Sequence, residues 1–373
     1  MPPFTVLIKP TSSSCNLRCR YCFYENIANS REIASYGIMN FDILEHIIKK
    51  SLMNCHQSCT FAFQGGEPTL AGIDFFRYCL TLQQKYNTGN VHIYNSIQTN
   101  GILIDNEWAE FLGDNNFLVG ISLDGLKEIH DKNRVYANDK GSFSKVMHAV
   151  SLFNNYNVEY NILSVVTENM ARHANKVYNF YKKNNFKYIQ FIKCLDPLEE
   201  EPGIHEYSLT PQRYAIFLKN IFDLWYEDIL SGNRISIREF DNFISILLGY
   251  PPEACGMTGQ CDGYMVVESD GSVYPCDFYV IDRWRLGNIS ESTFEQLKQC
   301  EGMNEFRLSS QHTDEKCKEC KYFNLCRGGC RRNREPYKNG LPVPNYYCTA
   351  YYDFFEYTAD RMKRLAAMLL SKR

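Results

Sequence analysis

The sequence predicts an α/β protein in which parallel βα units are followed by a cysteine-rich segment. Short runs rich in β-branched and aromatic residues alternate with amphipathic segments over residues 1–235, a pattern typical of parallel βα units. The alternation stops in residues 235–250, and nine of the 16 cysteines lie beyond residue 250. We therefore expect two domains, residues 1–235 and 236–373, in line with the usual domain size of about 100–200 residues.

Six strands are predicted in the first domain. They cover residues 5–8, 59–63, 91–97, 117–121, 160–166 and 188–192. Amphipathic segments between them predict helices, as in residues 41–52, where apolar side chains recur on one helical face. Another helix begins at Thr210 and Pro211, because threonine is a favourable N-cap residue and proline suits the first helical position.

Polar or glycine-rich loops follow most of these strands. The loops with candidate functional groups are residues 9–22, 64–68, 99–101, 122–125 and 194–196. In barrels of parallel βα units, reactive groups lie on loops at the carboxyl ends of the strands, so these loops would converge at one end. An open six-stranded barrel and a doubly wound sheet both fit this pattern, and periodicity alone does not separate them.

The composition excludes several classes of protein. The chain is 45% hydrophobic and contains 26 tyrosines and 24 phenylalanines, which is too apolar and too aromatic for a disordered protein. Its net charge is −3 with acids and bases interspersed, so the sequence does not predict a strongly basic surface for binding nucleic acid or an anionic membrane. Residues 1–10 are too short an apolar stretch for a signal peptide, and no window approaches a membrane span. We expect a cytoplasmic location.

The cysteines indicate metal or redox chemistry, since 16 cysteines without an export signal do not fit a secreted disulfide framework. Three of them lie in one short loop with C-x3-C-x2-C spacing: Cys15, Cys19 and Cys22. A structural zinc ion needs four protein ligands, whereas a [4Fe-4S] cluster bound by three cysteines keeps one iron open for an outside ligand. Five scattered cysteines are expected to be small buried hydrophobic residues: Cys55, Cys59, Cys79, Cys194 and Cys300.

Eight further cysteines crowd the second domain: Cys255, Cys261, Cys276, Cys317, Cys320, Cys326, Cys330 and Cys348. In a free-standing module, eight thiolates could bind two zinc ions as readily as two iron–sulfur clusters. The spacing does not fix which cysteines share a site. A β-hairpin is predicted over residues 264–274, and Cys276 and Asp277 follow it. Four basic residues are expected to form a solvated face, although they could also offset cluster charge: Arg327, Arg331, Arg332 and Arg334.

The three-cysteine loop, with Tyr21 before its last cysteine, resembles the signature of radical S-adenosylmethionine (SAM) enzymes. A Gly-Gly-x-Pro run alone usually indicates only a turn or loop. Residues 65–68, however, follow a predicted strand and resemble the GGEP motif of this family. In that motif, exposed backbone and a carboxylate receive the SAM ammonium group. The resemblance implies a partial (β/α)6 barrel whose open iron binds SAM. It also implies a set of SAM contacts: Tyr21 and Leu195 at adenine, Gly66 at the methionyl amine, Ser122 at ribose and Arg134 at the carboxylate.

Downstream of such a core, the eight later cysteines resemble the SPASM domain. This resemblance implies two auxiliary [4Fe-4S] clusters, and hence three clusters in the chain. It assigns one cluster to Cys255, Cys261, Cys276 and Cys330, and the other to Cys317, Cys320, Cys326 and Cys348.

Residues 15–24, 63–70, 266–278 and 317–332 together resemble the anaerobic sulfatase-maturating enzymes. The resemblance implies oxidation of a Cys or Ser residue in a sulfatase to Cα-formylglycine, with a 5′-deoxyadenosyl radical taking a Cβ hydrogen and Asp277 accepting a proton. An auxiliary cluster would accept the second electron. The implied partners are a sulfatase polypeptide with a Cys/Ser-x-Pro/Ala-x-Arg motif and a reducing electron donor such as ferredoxin or flavodoxin.

Two other functions fit parts of the pattern. Related enzymes with SPASM-type domains form thioether or carbon–carbon crosslinks in peptides, commonly beside a peptide-recognition domain. The first predicted strand begins at residue 5, which leaves no room for such a domain ahead of it and favours the maturase. The alternative from a different class is a non-catalytic protein whose cysteines bind zinc or transfer electrons.

Overall fold

The computed structural model describes residues 4–55, 57–198, 200–338 and 341–371. The chain forms two compact units, each assembled from separate stretches of sequence. The first unit contains Met1–Ser122, Asp131–Tyr160 and Asp262–Phe306, and the second contains Leu123–His130, Asn161–Cys261 and Arg307–Arg373. The domain boundary between residues 235 and 236 stays a prediction.

Strands and helices alternate through the first half of the described chain. The strands are β1 Phe4–Ile8, β2 Ser58–Phe63, β3 His92–Thr99, β4 Leu118–Ser122, β5 Tyr160–Val166, β6 Tyr188–Lys193, β7 Ser236–Ile237, β8 Met265–Val267, β9 Ser272–Tyr274 and β10 Gly287–Asn288. The helices are α1 Phe23–Asn29, α2 Phe41–Met53, α3 Ile73–Tyr86, α4 Asn106–Asp114, α5 Lys127–Asn133, α6 Phe143–Asn155, α7 Glu168–Ala171, α8 Ala174–Lys183, α9 Pro211–Leu230, α10 Arg238–Leu247, α11 Phe294–Gln299, α12 Glu301–Ser310, α13 Glu315–Lys318, α14 Phe323–Cys326 and α15 Cys348–Leu370.

In the first unit, β1, β2, β3 and β4 are parallel neighbours. Their inward side chains alternate with outward ones, so Phe63 packs against Phe76 of α3 with ring centroids 5.0 Å apart. On its other side, β1 pairs in parallel with β8, and β8, β9 and β10 continue as antiparallel neighbours. The short hairpin that precedes Cys276 is therefore part of the same sheet as the βα units of this unit.

In the second unit, β5, β6 and β7 are parallel. Helices α9, α10 and α15 pack on one another through an aromatic core, where Phe222 lies 5.4 Å from Phe240, and Phe240 stacks on Phe354 at 5.6 Å between centroids. Helix α9 begins at Pro211 after Thr210, whose side chain accepts a hydrogen bond from the Arg213 N–H as an N-cap.

The predicted elements agree with the structure to within two residues at their ends. All six predicted strands are present as β1 to β6, the helix predicted over residues 41–52 is α2, and the hairpin predicted over residues 264–274 is β8 and β9. None of the helices in the described part of the chain is both long and apolar enough to cross a membrane.

Candidate active site

The loop between β1 and α1 carries the three-cysteine motif, and all three side chains are partly buried. The backbone N–H of Leu17 lies 3.4 Å from Sγ of Cys15, and Nδ2 of Asn100 lies 3.7 Å from the same sulfur. Burial raises the pKa of the Cys15 thiol to about 11, while the Leu17 N–H acts in the opposite direction. Donors aimed at this sulfur are what a thiolate ligand requires.

Cys22 occupies the N-cap position of α1. Burial raises the pKa of its thiol, and the nearby backbone N–H groups of Glu25 and Tyr24 act in the opposite direction. Free N–H groups at the first turn of a helix favour negative charge. Burial keeps the free Cys22 thiol protonated, and the N–H groups of this turn would favour a thiolate there once a metal is bound.

The glycine-rich loop after β2 packs directly on the cysteine loop. Gly66 has a φ of +54°, and a Cβ added there would lie 2.3 Å from the carbonyl oxygen of Ser14. The next residue, Glu67, donates its backbone N–H to the same oxygen at 2.8 Å. Only glycine fits such a close approach at a positive φ, which explains why residue 66 is glycine.

The carboxylate of Glu67 is 1% exposed and is bound entirely within the chain. Its Oε1 accepts hydrogen bonds from the Thr69 N–H, the Thr69 hydroxyl and the Thr99 hydroxyl, and Oε2 accepts one from the Asn100 N–H at 2.7 Å. Burial raises the pKa of Glu67, and these donors oppose that effect. The carboxylate, which the motif resemblance assigned with exposed backbone to the SAM ammonium, joins the loops after β2 and β3.

Three of the five residues implied as SAM contacts lie near the cysteine or glycine loop. The guanidinium of Arg134 lies over the Tyr21 ring, 5.5 Å from its centroid, and Gly66 packs on the cysteine loop as described above. Ser122 is buried as the last residue of β4. Leu195 belongs to the second unit, where it lines a small cavity that includes Arg332 and Tyr347.

Asp277 lies in a buried polar pocket of the first unit. Its Oδ2 accepts hydrogen bonds from the Tyr24 hydroxyl at 2.5 Å and from Nε2 of Gln64 at 2.7 Å. Its Oδ1 lies 3.6 Å from the ammonium of Lys9, whose side chain is only 4% exposed. Lys9 also lies over the Tyr24 ring, 4.3 Å from the centroid.

The protonation state of Tyr24 decides which group donates and which accepts in this pocket. Burial, and then the negative charge of Asp277, raise the pKa of Tyr24 well above its usual value. The phenol is therefore neutral and donates to the carboxylate. Sequence analysis did not single out Lys9 or Gln64, although Gln64 directly precedes the glycine motif and Lys9 directly follows β1.

The cysteines of the second unit form two neighbourhoods. Cys317, Cys320 and Cys348 each influence the Cys326 thiol, whose pKa burial raises to about 11. Burial raises the pKa of Cys330 to about 12, with a further rise from the charges of Cys255 and Cys261. One predicted set of four thus lies together, as do three members of the other set. Cys276, the fourth member of the second set, belongs to the first unit, and both four-cysteine ligand sets stay predictions.

Two expectations about individual side chains were wrong. Four of the five scattered cysteines are buried, but Cys300 is only partly buried because it lies at the C-terminal end of α11. Three of the four arginines expected on a solvated face, Arg331, Arg332 and Arg334, are at most 7% exposed. Their guanidinium groups bind polar groups of the chain, with Arg332 donating to the carbonyl oxygen of Asp196.

Known families match both parts of the chain. Residues 10–175 match the radical SAM superfamily, and residues 255–321 match the SPASM iron–sulfur cluster-binding domain. The cysteine-type anaerobic sulfatase-maturating enzyme of Clostridium perfringens (strain 13 / Type A) is 54% identical over 98% of this chain and 99% of the relative. This chain belongs to the anaerobic sulfatase-maturating enzymes.

A more distant relative is named a serine-type enzyme instead of a cysteine-type enzyme. The serine-type enzyme of Bacteroides thetaiotaomicron is 32% identical, over 99% of this chain and 93% of the relative. Among solved structures, native anSMEcpe with bound AdoMet and Cp18Cys peptide matches with a TM-score of 0.95 and 53% identity, covering 99% of this chain and all of that chain. The fold is thus the radical SAM α/β fold with a SPASM domain.

As a sulfatase-maturating enzyme, the chain uses [4Fe-4S] clusters and SAM as cofactors. The cysteine sulfurs with N–H donors around them fit this role. In the described residues, no three His, Cys, Asp or Glu side chains converge on the position of a single metal ion. A cubane binds each cysteine through a different iron, so its ligands need no such convergence.

Proposed function

We propose that this sulfatase-maturating enzyme oxidises a cysteine residue of a sulfatase to Cα-formylglycine, with Asp277 as the proton acceptor. The observation that carries the proposal is the buried Asp277 carboxylate, held by Tyr24 and Gln64 and paired with Lys9. The cysteine preference is supported by a relative that is named cysteine-type and is 54% identical, against 32% for one named serine-type.

In this proposal, residues of the loops described above bind the cofactors. We assign Cys15, Cys19 and Cys22 to the cluster that binds SAM, and Tyr21, Gly66, Ser122, Arg134 and Leu195 to SAM itself. When bound, these cofactors supply a 5′-deoxyadenosyl radical that removes a hydrogen atom from the substrate Cβ. The Glu67 hydrogen bonds hold the loops after β2 and β3 in place.

The substrate thiol must also lose a proton, and Asp277 is placed to receive it. A bound auxiliary cluster would accept the second electron, and water would hydrolyse the resulting thioaldehyde to the aldehyde with release of hydrogen sulfide. Two donors fix Oδ2, so the carboxylate cannot rotate freely. Oδ1 is buried and has no hydrogen-bond partner within the described residues, which leaves its lone pairs for a substrate proton. The ammonium of Lys9 stabilises the negative charge that a base requires.

The remaining assignments extend this proposal. We assign Cys255, Cys261, Cys276 and Cys330 to one auxiliary cluster, and Cys317, Cys320, Cys326 and Cys348 to the other, in a SPASM domain of residues 236–373. The substrate is a sulfatase segment with a Cys-x-Pro-x-Arg motif, and ferredoxin or flavodoxin is the class of electron donor. A reducing cytoplasm would suit a chain with so many free cysteines.

The test uses reconstituted, reduced enzyme, SAM and a Cys-x-Pro-x-Arg peptide under anaerobic conditions. Mass spectrometry should show an aldehyde in place of the thiol, and a hydrazine should trap it. Matched peptides with serine or alanine at the target position serve as controls, and we expect lower yield from serine and none from alanine. A crosslink between peptide side chains, or no product despite SAM cleavage, would contradict the proposal.

A further inference from the structure

A fully buried ion pair lies at the C-terminal end of α1 in the first unit. Nη1 of Arg31 donates a hydrogen bond to Oε2 of Glu268 at 2.7 Å, and the two side chains are only 2% and 0% exposed. Arg31 follows Ser30, the C-cap residue of α1, and Glu268 directly follows β8. The pair therefore joins the end of α1 to the hairpin of β8 and β9.

The other end of α1 is attached to the chain that leaves this hairpin. There, the Tyr24 hydroxyl donates to the carboxylate of Asp277 at 2.5 Å. Just beyond the C-terminal end of the helix, the backbone N–H of Glu32 donates to Oδ2 of Asp282 at 2.8 Å. Helix α1 is thus fixed at both ends to one continuous stretch of chain, residues 268–282, and the proton acceptor assigned above lies within that stretch.

Further hydrogen bonds fix the direction of both charged groups. Nη2 of Arg31 donates to the carbonyl oxygen of Ala34 at 2.6 Å, and Oε1 of Glu268 accepts the Ser269 N–H at 2.8 Å. The backbone N–H of Glu268 donates to the carbonyl oxygen of Ser272 at 2.8 Å, within the hairpin. Because each side chain is held by a second partner, the ion pair links the end of α1 to the hairpin in one defined direction.

Stability alone does not account for this ion pair. Taking two charges out of water is costly, and a buried ion pair is often no more stabilising than apolar side chains of similar volume. A charged pair differs from an apolar one in that its hydrogen bond is directional, so it admits one arrangement of the two elements. The Tyr24–Asp277 hydrogen bond requires such an arrangement, because a small shift of α1 on the hairpin would separate the hydroxyl from the carboxylate.

We infer that Arg31 and Glu268 are positioning residues that hold α1 and the hairpin in the arrangement that brings the Tyr24 hydroxyl to Asp277. This inference rests on the proposed role of Asp277 as the proton acceptor. The pair acts through α1 and the hairpin and does not bind the substrate. Without the pair, α1 shifts on the hairpin and the carboxylate loses its fixed orientation. SAM cleavage then continues, while transfer of the substrate proton and aldehyde formation fail.

The test measures the ratio of formylglycine to 5′-deoxyadenosine for Arg31→Met, in reconstituted, reduced enzyme with SAM and a Cys-x-Pro-x-Arg peptide. We expect the ratio to fall about tenfold, because small misplacements of reacting groups cost up to about 100-fold in rate. Arg77→Met removes only exposed ion pairs and is the matched control, which should keep the wild-type ratio. A wild-type ratio in Arg31→Met would overturn the inference, as would an equal fall in both products.

A double variant separates positioning from stability. Arg31→Met leaves the Glu268 carboxylate buried without its cation, which is destabilising. Arg31→Met with Glu268→Gln removes both charges and keeps an acceptor oxygen for the Ser269 N–H, so we expect it to fold with wild-type iron content. Its product ratio should stay about tenfold low, because the link between α1 and the hairpin is still missing. Recovery of the wild-type ratio would show that only the unpaired charge mattered and would overturn the inference.

A cycle with Tyr24→Phe tests whether the pair acts through the Tyr24–Asp277 contact. In the Tyr24→Phe background, we expect Arg31→Met to lower the ratio by less than about threefold more, since residues that act as a unit have non-additive effects. A full further tenfold fall would contradict this route. Asp277→Asn tests the underlying proposal separately. A wild-type ratio there would remove the proton-acceptor role, whereas a low ratio there with a wild-type ratio in Arg31→Met would reject only the positioning role.

Discussion

The hydroxyl of Tyr24 donates a 2.5 Å hydrogen bond to Oδ2 of Asp277, across 253 residues of sequence. Tyr24 lies in the first turn of α1, two residues after the last cysteine of the three-cysteine loop, and Asp277 directly follows Cys276. One contact therefore joins the loop assigned to radical generation with the residue assigned to proton transfer.

Replacing Tyr24 with phenylalanine removes one of the two donors to Oδ2 and keeps the ring packing against Phe23. Gln64 alone would then hold this oxygen, and the carboxylate could rotate. Because small misplacements of reacting groups cost up to about 100-fold in rate, we expect formylglycine formation to fall about 10- to 100-fold. Rates of aldehyde and 5′-deoxyadenosine formation should be measured together. An equal fall in both would point to a defect in SAM cleavage instead.

Lys9→Met leaves the buried Asp277 charge without its cation. Breaking a buried ion pair costs about 3–5 kcal/mol, so we expect a loss of that order in the free energy of unfolding, together with a loss of turnover. Denaturant titration of the anaerobic holoenzyme measures the first quantity. The matched control is Arg77→Met, which removes exposed ion pairs with Asp74 and Glu107 and should change stability far less. Equal stability of the two variants would rule out a strong Lys9–Asp277 interaction.

Glu67→Gln replaces one acceptor oxygen with an NH₂ group that cannot accept the donors around it. At least one buried donor among Thr69, Thr99 and Asn100 then loses its partner. An unsatisfied buried donor costs about 1–3 kcal/mol, and we expect the variant to lose that much stability. If Glu67 contacted only a bound ligand, its substitution would instead change SAM affinity and leave the unfolding of the SAM-free protein unchanged.

The pKa of Tyr24 is raised, chiefly by burial, and this gives a pH dependence with a defined sign. Folding favours the neutral phenol, so its contribution to stability is complete below the unfolded pKa of about 10 and is lost at higher pH. We expect tyrosinate absorbance of the native protein, taken as wild type minus Tyr24→Phe, to show no step below pH 10. A step in that difference at lower pH would show that Tyr24 ionises and that its donor role is wrong.

Much of the fold and part of the site could be predicted from the sequence, because both depend on local patterns. Strand and helix periodicity placed β1 to β6, and parallel βα geometry explained why the cysteine and glycine loops follow neighbouring strands. The close packing of Gly66 on Ser14 is consistent with the glycine motif itself. The family resemblance supplied Asp277, which spacing alone would not have distinguished from a turn residue.

The partners of Asp277 could not be predicted, because they depend on contacts distant in sequence. Gln64 and Asp277 are 213 residues apart, and their meeting requires the hairpin of β8 and β9 to pair with β1. Each of these two strands has three residues, too few for a sequence pattern to specify a partner strand. The burial of Arg331 and Arg332 was missed for a similar reason, since their polar partners are formed only in the folded chain.

The most direct test of the central claim is the ratio of formylglycine to 5′-deoxyadenosine produced by Asp277→Asn, with a Cys-x-Pro-x-Arg peptide and wild type as reference. Asparagine keeps the size of the side chain but cannot accept the thiol proton. We expect unchanged iron content and measurable SAM cleavage, with the ratio reduced about 100-fold or more, as for loss of a general base. A wild-type ratio in this variant would contradict the assignment of Asp277 as the proton acceptor.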